Sequence, residues 1–324
     1  MDSRAQVWFS ERSSHWRDWP LRRLLEHKQR SRTRISVVVP ARNEERTVSG
    51  IITALARELV FNAPLIDELV VIDSDSEDGT AEVAAAAGAI VYRAREVVPG
   101  LGRQRGKGEA LWKSLFVTEG DLLIFIDADL TDWGVHFVTG LLGPLLSIDQ
   151  VQLVKAFYDR APADCGDGLF GRGGRVTELV ARPLLGLWWP ELGGVVQPLA
   201  GEWAARRSLL ESLPIPVGYG VELSTLLDTA ARHGLQALAQ VDLGCRGHRQ
   251  QPDEDLALMA AELLAVAERR RPGGHHIGVE AELLQFTRAN GRMLPQPRAF
   301  PTQERPPVER VRWGDVSRSG GAAW

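Results

Sequence analysis

Between residues 35 and 126, four short apolar segments alternate with segments that have the 3.6-residue period of an α-helix. The apolar segments are of strand length and rich in β-branched residues, which is typical of buried strands. Strands and helices that alternate at this spacing form βαβ units with right-handed crossovers. The predicted strands are 35–40, 68–73, 89–92 and 122–126, and the predicted helices between them are 44–59, 80–87 and 109–118. The sequence therefore predicts an α/β fold with a mostly parallel sheet, whose ligands bind at the carboxyl ends of the strands.

The second half of the chain has a less regular pattern. Its predicted strands are 151–157 and 238–243, and its predicted helices are 176–187, 208–213, 222–233 and 253–270. Residues 1–34 carry nine basic and four acidic side chains and three tryptophans, and we expect them to form an arm across their own domain or a partner subunit. Residues 291–324 are rich in proline and glycine and predict a tail. Two halves, 35–150 and 151–290, remain between these extended arms.

The composition disfavours several classes of protein. A net charge of -4 over 324 residues argues against a general nucleic-acid binder. Two cysteines are too few for a disulfide framework or a four-thiolate zinc site. No apolar run approaches the roughly 18 residues that a membrane span needs, and the first residues lack the apolar core of a signal peptide. We therefore expect a cytoplasmic protein that binds neither nucleic acid nor membranes.

Two carboxylates directly follow the predicted strand 122–126. Asp127 and Asp129 leave the strand at positions i and i+2, so their side chains point to the same side at the ligand-binding edge of the sheet. Two close negative charges are unfavourable unless a cation or hydrogen-bond donors compensate them. A divalent ion with oxygen ligands is the natural compensator, and phosphate oxygens commonly complete its coordination shell. For an Asp-x-Asp pair alone, a solvated loop is the alternative.

Two earlier strands also end in acidic and hydroxyl residues, at 40–45 and 73–80. Three strands of the predicted sheet thus place polar side chains at one edge. No G-x-G-x-x-G follows the first strand, which disfavours a dinucleotide-binding domain, and the chain has no P-loop motif.

Lysine is rare in this chain, since only four of the 38 basic residues are lysines. A lysine in so arginine-rich a sequence suggests a need for a compact ammonium group. Lys107 lies between two glycines, which let the backbone approach a ligand, and this arrangement suits a point charge on a phosphate. A solvated surface lysine is the alternative.

Seven motifs follow one another along the chain: VVVPARNEE (37–45), VIDSDSEDGT (71–80), GKGEALW (106–112), FIDAD (125–129), GGRVTEL (173–179), GYGVE (218–222) and RGHR (246–249). The set resembles GT-A glycosyltransferases and, more narrowly, the glucosyl-3-phosphoglycerate and mannosyl-3-phosphoglycerate synthases, over about residues 35–270. The resemblance implies a GT-A, Rossmann-like fold with a nucleotide-sugar-binding half (35–150) and an acceptor-binding half (151–290). It also implies a retaining transfer of mannose or glucose from a nucleotide diphosphate sugar to 3-phosphoglycerate.

The donor site implied by the resemblance includes a divalent metal, Mg²⁺ or Mn²⁺, held by Asp129 and His248. The implied nucleotide-sugar-binding residues are Pro40, Ala41, Arg42, Glu44, Ser74, Lys107, Asp127, Ala128, Asp129 and Leu199. The family carries Leu where Arg42 stands and Ser where Ala128 stands, which bears on the choice of base. GDP-mannose and GDP-glucose are the favoured donors, and UDP-glucose is the alternative.

The acceptor site is expected where Gly173 and Gly174 precede a predicted helix. The backbone N–H groups, the positive end of the helix, Arg175 and the Thr177 hydroxyl could together bind a phosphate. A glycine-rich turn with a capping threonine is the alternative. The resemblance implies Gly174, Arg175, Thr177, Tyr219 and Glu222 as acceptor-binding residues, and Asp129, Lys107 and Glu222 as catalytic residues.

No side chain stands out as a nucleophile, so we expect same-face attack assisted by the diphosphate. We also expect a homodimer.

Two other functions stay open. A sugar-phosphate nucleotidyltransferase usually has a glycine-rich loop after the first strand, and residues 41–45 contain no glycine. A non-catalytic nucleotide-sugar-binding regulator is disfavoured by the intact Asp129, Lys107 and His248.

Overall fold

Strands and helices alternate along the chain in the computed structural model, which describes residues 2–160, 174–247, 252–275, 277–278, 280–289 and 291–312. The strands are β1 (Ser13–His15), β2 (Ile35–Ala41), β3 (Glu68–Asp73), β4 (Ile90–Arg93), β5 (Leu122–Phe125), β6 (Leu153–Arg160), β7 (Trp203–Arg206), β8 (Ile215–Pro216), β9 (Leu238–Arg246), β10 (Glu280–Ala289), β11 (Arg292–Pro301) and β12 (Glu304–Arg305). The helices are α1 (Ser3–Arg12), α2 (Leu21–Ser31), α3 (Val48–Leu55), α4 (Thr80–Ala86), α5 (Lys107–Val117), α6 (His136–Ser147), α7 (Arg182–Trp188), α8 (Arg207–Ser212), α9 (Val221–His233), α10 (Asp253–Arg270) and α11 (Val308–Arg312). None of the helices in these residues is long and apolar enough to cross a membrane.

Eight of these strands form one sheet, in the order β1-β9-β6-β7-β5-β2-β3-β4. β7 runs antiparallel to β5 and β6, whereas the other neighbouring strands are parallel. The register places Val38 of β2 opposite Phe125 of β5, and Ala41 of β2 opposite Asp73 of β3. The carboxyl ends of β2, β3 and β5 therefore meet at one edge. The predicted α/β fold with a mostly parallel sheet is confirmed.

Side chains of β2 alternate between two apolar cores, one on each face of the sheet. Val37 and Val39 belong to the core that α2, α3, α4 and α6 cover. Val38 belongs to the core that α5, α8, α9 and α10 cover. A strand covered on both faces is mostly apolar, which explains the β-branched run at 37–39.

Several elements have the predicted bounds, including the strand 68–73 and the helix 253–270. The helix expected at 44–59 begins only at Val48, because Asn43 has a φ of +58° and the residues after it form a loop. It continues as a π-helical turn, Ala56–Phe61. The helix expected at 176–187 likewise consists of a π-helical turn, Thr177–Ala181, followed by α7.

The N-terminal residues join the main sheet. β1 pairs in parallel with β9, with Ser13 opposite Gln240. Trp8 of α1 is 1% exposed, and its indole N–H donates a 2.9 Å hydrogen bond to the Leu238 carbonyl. The segment 1–34 thus contributes an edge strand and core side chains to the domain.

β10 and β11 form a hairpin outside the main sheet, and the expected boundary after residue 290 falls between its two strands. Directly opposed residues share a face, so Leu284, Phe286 and Met293 lie on the same face. Each of these three side chains is more than half exposed, at 55%, 57% and 52%. On the other face, Gln285 and Arg298 contact the start of α10. One face of the hairpin is therefore attached and the other is apolar and exposed.

Candidate active site

Asp127 lies just beyond β5, where two cations neutralise it. The Lys107 ammonium donates to one carboxylate oxygen at 2.6 Å, and Arg246 Nη2 donates to the other at 2.9 Å. Burial alone would raise the pKa of Asp127, but these two cations lower it to about 2. Gly201 lies against the same carboxylate, because a Cβ there would be 2.0 Å from Oδ2. Asp127 is therefore a fixed and ionised part of the site.

Asp129 has a more open environment. Its side chain is 34% exposed, and its Oδ1 lies 3.6 Å from Arg246 Nη2. Burial and the charge of Asp127 raise the pKa of Asp129. A bound cation would oppose that effect by compensating the second carboxylate. Of the two carboxylates, Asp129 is the one that can serve as a ligand.

Lys107 is the first residue of α5, and the glycines beside it set its position. Gly106 has a φ of +135°, and a Cβ on Gly108 would lie 1.8 Å from the Pro216 carbonyl oxygen. Lys107 Nζ lies 2.6 Å from Asp127 and 2.8 Å from Glu222 of α9. Burial alone would lower the pKa of Lys107, but the two carboxylates raise it, so the ammonium stays charged. Three of the predicted site residues are thus in direct contact.

The loops that follow β2 and β3 are hydrogen-bonded to each other at the carboxyl edge. The Ser74 N–H donates to the Ala41 carbonyl at 2.8 Å, and the Glu44 N–H donates to the Thr80 hydroxyl at 2.8 Å. Ala41 is buried, Arg42 is exposed, and Pro40, Glu44 and Ser74 are half-buried. The predicted nucleotide-side residues therefore lie at the end of β2 and on the two adjoining loops that follow β2 and β3.

Leu199 belongs to the segment 197–202, which leads into β7. In the order of the sheet, β7 and β2 lie on opposite sides of β5, so this segment and the nucleotide-side loops lie on opposite sides of Asp127. Leu199 is half-buried, and Ala128 is 4% exposed. The structure thus places Asp127 between Leu199 and the predicted nucleotide-side residues that follow β2 and β3.

Tyr219 and Glu222 lie at the start of α9, which packs against α10. Glu222 is 5% exposed, whereas Tyr219 is 42% exposed. The Tyr219 N–H donates to Glu262 Oε2 of α10 at 2.6 Å. Burial raises the pKa of Glu262 to about 7.

Gly174, Arg175 and Thr177 lie at the start of a helical segment. Arg175 forms an ion pair with Asp253, the first residue of α10. Thr177 is buried, and the Gly174 carbonyl accepts the Glu178 N–H at 3.0 Å. His248 and Gly173 lie outside the described residues.

Arg246, at the end of β9, joins the charged groups of the site, a role that sequence reasoning missed. Its Nη1 donates to the Tyr158 hydroxyl at 2.8 Å, and its Nη2 lies 3.1 Å from Glu202 Oε1. Glu202 is fully buried, and burial raises its pKa. The signal that could have found Arg246 is its place in the RGHR motif beside His248. Tyr158 carries no comparable signal, because only the pairing of β6 with β9 brings it to Arg246.

A divalent metal fits the chemistry of Asp129 but not that of Asp127. Asp129 offers a partly exposed carboxylate, which is a hard oxygen donor. Both oxygens of Asp127 already accept from cations. No group of three or more His, Cys, Asp or Glu side chains within the described ranges is placed to hold an ion. Asp129 would therefore need ligands from outside those ranges, such as His248, or from a substrate.

Comparison with known proteins identifies relatives that match most of the chain. Residues 36–132 match the family model described as Glycosyl transferase family 2. The chain is 40% identical over 292 residues to the glucosyl-3-phosphoglycerate synthase of Petrotoga mobilis, a match that covers 89% of this chain and 90% of that protein. It is 44% identical over 305 residues to the same enzyme of Mycolicibacterium smegmatis, a match that covers 94% of this chain and 98% of that protein.

Solved structures of the Mycobacterium tuberculosis enzyme have the same architecture. Glucosyl-3-phosphoglycerate synthase in complex with Mn²⁺, UDP and glucosyl-3-phosphoglycerate superposes with a TM-score of 0.79 at 43% identity, covering 91% of this chain and 96% of that one. The complex with Mg²⁺ and UDP gives a TM-score of 0.81 at 42% identity, covering 93% of this chain and 99% of that one. The GT-A fold implied by the motifs is thereby confirmed. The extent and identity of these matches show that the chain belongs to the glucosyl-3-phosphoglycerate synthase family.

Proposed function

We propose that this protein transfers glucose from UDP-glucose to 3-phosphoglycerate with retention of configuration, using Mg²⁺ or Mn²⁺. The observation that carries the proposal is the unequal environment of the two carboxylates after β5. Lys107 and Arg246 bind Asp127, whereas Asp129 is partly exposed beside them. This arrangement suits a metal-bound diphosphate, because it presents one carboxylate to a cation within a cationic framework.

Of the three donors that the sequence leaves open, UDP-glucose is the one we propose. The motifs favoured a guanosine donor, with UDP-glucose as the alternative. The solved relatives favour the alternative, since the Mycobacterium tuberculosis enzyme binds UDP-glucose together with Mn²⁺ and phosphoglyceric acid. The end of β2 and the loops after β2 and β3 would contact the nucleoside, through Pro40, Ala41, Arg42, Glu44 and Ser74.

The residues of this chain bind and orient the two substrates in the proposed reaction. Asp129, with His248, would hold the divalent ion, which supplies Lewis-acid stabilisation of the departing diphosphate. Lys107 holds Asp127 and Glu222 in place, and its charge lies where the diphosphate is expected. Gly174, Arg175 and Thr177 would bind the acceptor phosphate, and Tyr219 and Glu222 would line the acceptor and the sugar.

Retention by same-face attack agrees with the bonding of the carboxylates. Glu222 is bound to Lys107, and Asp127 is bound to two cations, so both are weak nucleophiles. The acceptor hydroxyl would form the new bond to the anomeric carbon as the bond to the diphosphate breaks. Its proton would pass to the departing diphosphate.

The test is a donor panel of UDP-glucose, GDP-glucose and GDP-mannose with 3-phosphoglycerate and Mn²⁺, with products identified by mass spectrometry and NMR. We expect α-linked glucosyl-3-phosphoglycerate from UDP-glucose at the highest kcat/KM. A higher kcat/KM with GDP-mannose would overturn the donor assignment. A parallel reaction with UTP and glucose 1-phosphate tests the alternative. Release of inorganic pyrophosphate there, with no glycoside product from the donor panel, would instead support a nucleotidyltransferase.

A further inference from the structure

Lys155 is a buried cation that the proposed reaction does not use. It lies on β6, is 2% exposed, and its ammonium donates a 2.8 Å hydrogen bond to the Ala200 carbonyl. The same ammonium lies 5.6 Å from the centre of the Trp203 ring. Lys155 therefore connects β6 to the segment 197–202.

The segment 197–202 lies between β6 and Asp127, which follows β5. Besides Lys155, β6 contributes the Ala156 N–H, which donates to the Glu202 carbonyl at 3.1 Å. It also contributes the Tyr158 carbonyl, which accepts the Gln197 side-chain amide at 2.7 Å. On the opposite side, Gly201 abuts Asp127 so closely that no Cβ would fit. A shift in the Ala200 carbonyl would therefore move Leu199 and Gly201 relative to Asp127.

Packing alone does not require a lysine at this position. Burial lowers the pKa of Lys155 to about 7, and the positive charge of Lys107 contributes to this decrease. The negative charges of Glu222, Glu202 and Asp127 raise the pKa but do not outweigh burial. A methionine has similar length and would carry no such desolvation penalty. The amine donates to the Ala200 carbonyl whether it is protonated or neutral. What lysine adds to the site is thus the hydrogen bond that fixes this segment.

We propose that Lys155 is a positioning residue for the hexose of the donor, acting through the Ala200 carbonyl and the segment 197–202. This segment and the nucleotide-side loops lie on opposite sides of Asp127, so it faces the part of the donor beyond the diphosphate. The inference rests on the proposed function, because it assumes a nucleotide sugar as the ligand. It assigns Lys155 to recognition of the sugar and not of the nucleotide.

The test compares the binding of UDP and of UDP-glucose to the Lys155→Met variant by calorimetry with Mn²⁺. UDP lacks the hexose, so its Kd should stay within about twofold of wild type. The Kd of UDP-glucose should rise about tenfold, and the KM for 3-phosphoglycerate should stay unchanged. Equal weakening of both ligands, or wild-type affinity for both, would overturn the proposal.

Lys113→Met is the matched control. Lys113 is also buried, at 1% exposure, and its ammonium donates a 2.6 Å hydrogen bond to the Ala94 carbonyl. Ala94 lies outside the segment 197–202. Its loss should lower Tm without changing the ratio of the UDP and UDP-glucose affinities. If Lys155→Met does not fold, Lys155→Leu, which also removes the donor, takes its place with the same expectations. Both affinities are measured without turnover, so absence of glucosyl-3-phosphoglycerate from the wild-type enzyme would refute the proposed function separately.

Discussion

The lysines of this arginine-rich chain bind oxygen atoms in the folded protein. Lys107 binds two carboxylates, Lys113 and Lys155 bind backbone carbonyls, and Lys28 lies 2.8 Å from Asp67. The rarity of lysine was the signal that selected Lys107, and it could also have selected Lys155. What the sequence could not supply was the partner, because the Ala200 carbonyl reaches Lys155 only once β6 and β7 are paired.

The aspartate pair shows the same division between what was predictable and what was not. Its position after β5 follows from the pattern of apolar residues. The difference between Asp127 and Asp129 depends on Lys107 and Arg246, which come from α5 and β9 and lie 20 and 119 residues away from Asp127. The sequence places both carboxylates at the site, but it does not reveal that Asp127 is bound by two cations while Asp129 is partly exposed.

Substitution of each aspartate by asparagine should separate these roles. Asp129→Asn should abolish metal-dependent UDP binding, measured by calorimetry, and leave the Tm of the metal-free protein near wild type. Asp127→Asn should cost about 3 kcal/mol in the free energy of unfolding, measured with urea, because it leaves two buried cations with fewer partners. Asp149→Asn, on the exposed surface, is the control. Equal effects of the two substitutions on both measurements would contradict the assignment.

Glu262 should make the protein less stable at alkaline pH. Burial raises its pKa in the folded state to about 7, above the unfolded value of 4.5, so the folded state holds the proton more tightly. Stability from this group is present below pH 4.5 and declines as pH rises through 7, by on the order of 3 kcal/mol. Glu262→Gln keeps an acceptor for the Tyr219 N–H and should raise Tm relative to wild type at pH 8.5 but not at pH 4.5. A pH-independent difference in Tm would refute this account.

At the scale of elements, apolar periodicity predicted six of the eight strands of the main sheet but missed β1 and β7, and it also missed the helices α1, α2 and α6. It did not predict the hairpin of β10 and β11, because Pro295, Pro297 and Pro301 argue against a strand. These prolines occupy alternate positions, so their nitrogens face the same side of β11. A two-stranded hairpin leaves one side of β11 without a partner strand, and prolines are tolerated there.

β12 fixes the loop that precedes Lys107. Arg305 binds the buried Glu109 through two hydrogen bonds, 2.7 and 2.8 Å long, and also donates to the Leu101 and Gly102 carbonyls. Arg305→Ala should lower the free energy of unfolding by about 3 kcal/mol, measured with urea, because it leaves Glu109 buried and poorly paired. Arg305→Ala with Glu109→Gln should recover part of the loss. No recovery in the double variant would show that the charge of Glu109 is not the cause.

At the scale of the whole molecule, strands from both halves of the chain belong to one sheet. The site forms where β5 from the first half meets segments that lead into or out of β7, β9 and α9. The expected functional halves, 35–150 and 151–290, therefore share a structural framework. The assignment of the donor to one and the acceptor to the other stays a prediction.

The expected homodimer also stays a prediction, and the exposed face of the hairpin is where we expect two copies to meet. Leu284→Glu combined with Phe286→Glu would place charges on that face, which should convert a dimer into a monomer in light scattering coupled to size exclusion. Thr287→Glu, on the opposite face, is the control for damage to the hairpin. A dimer that persists in the double variant would assign the interface to another surface.

The pairing of β1 with β9 has a consequence for the order of folding during synthesis. Ser13 contacts Gln240, which follows it by 227 residues. At about 5–20 residues per second, the ribosome takes roughly 10–45 s to make the chain between them. Strands β2, β3 and β5 are closer in sequence and can pair within that time. β1 thus waits longer for its partner than β2, β3 and β5 do, and Trp8 lacks the Leu238 carbonyl that accepts its indole N–H until β9 has been synthesised.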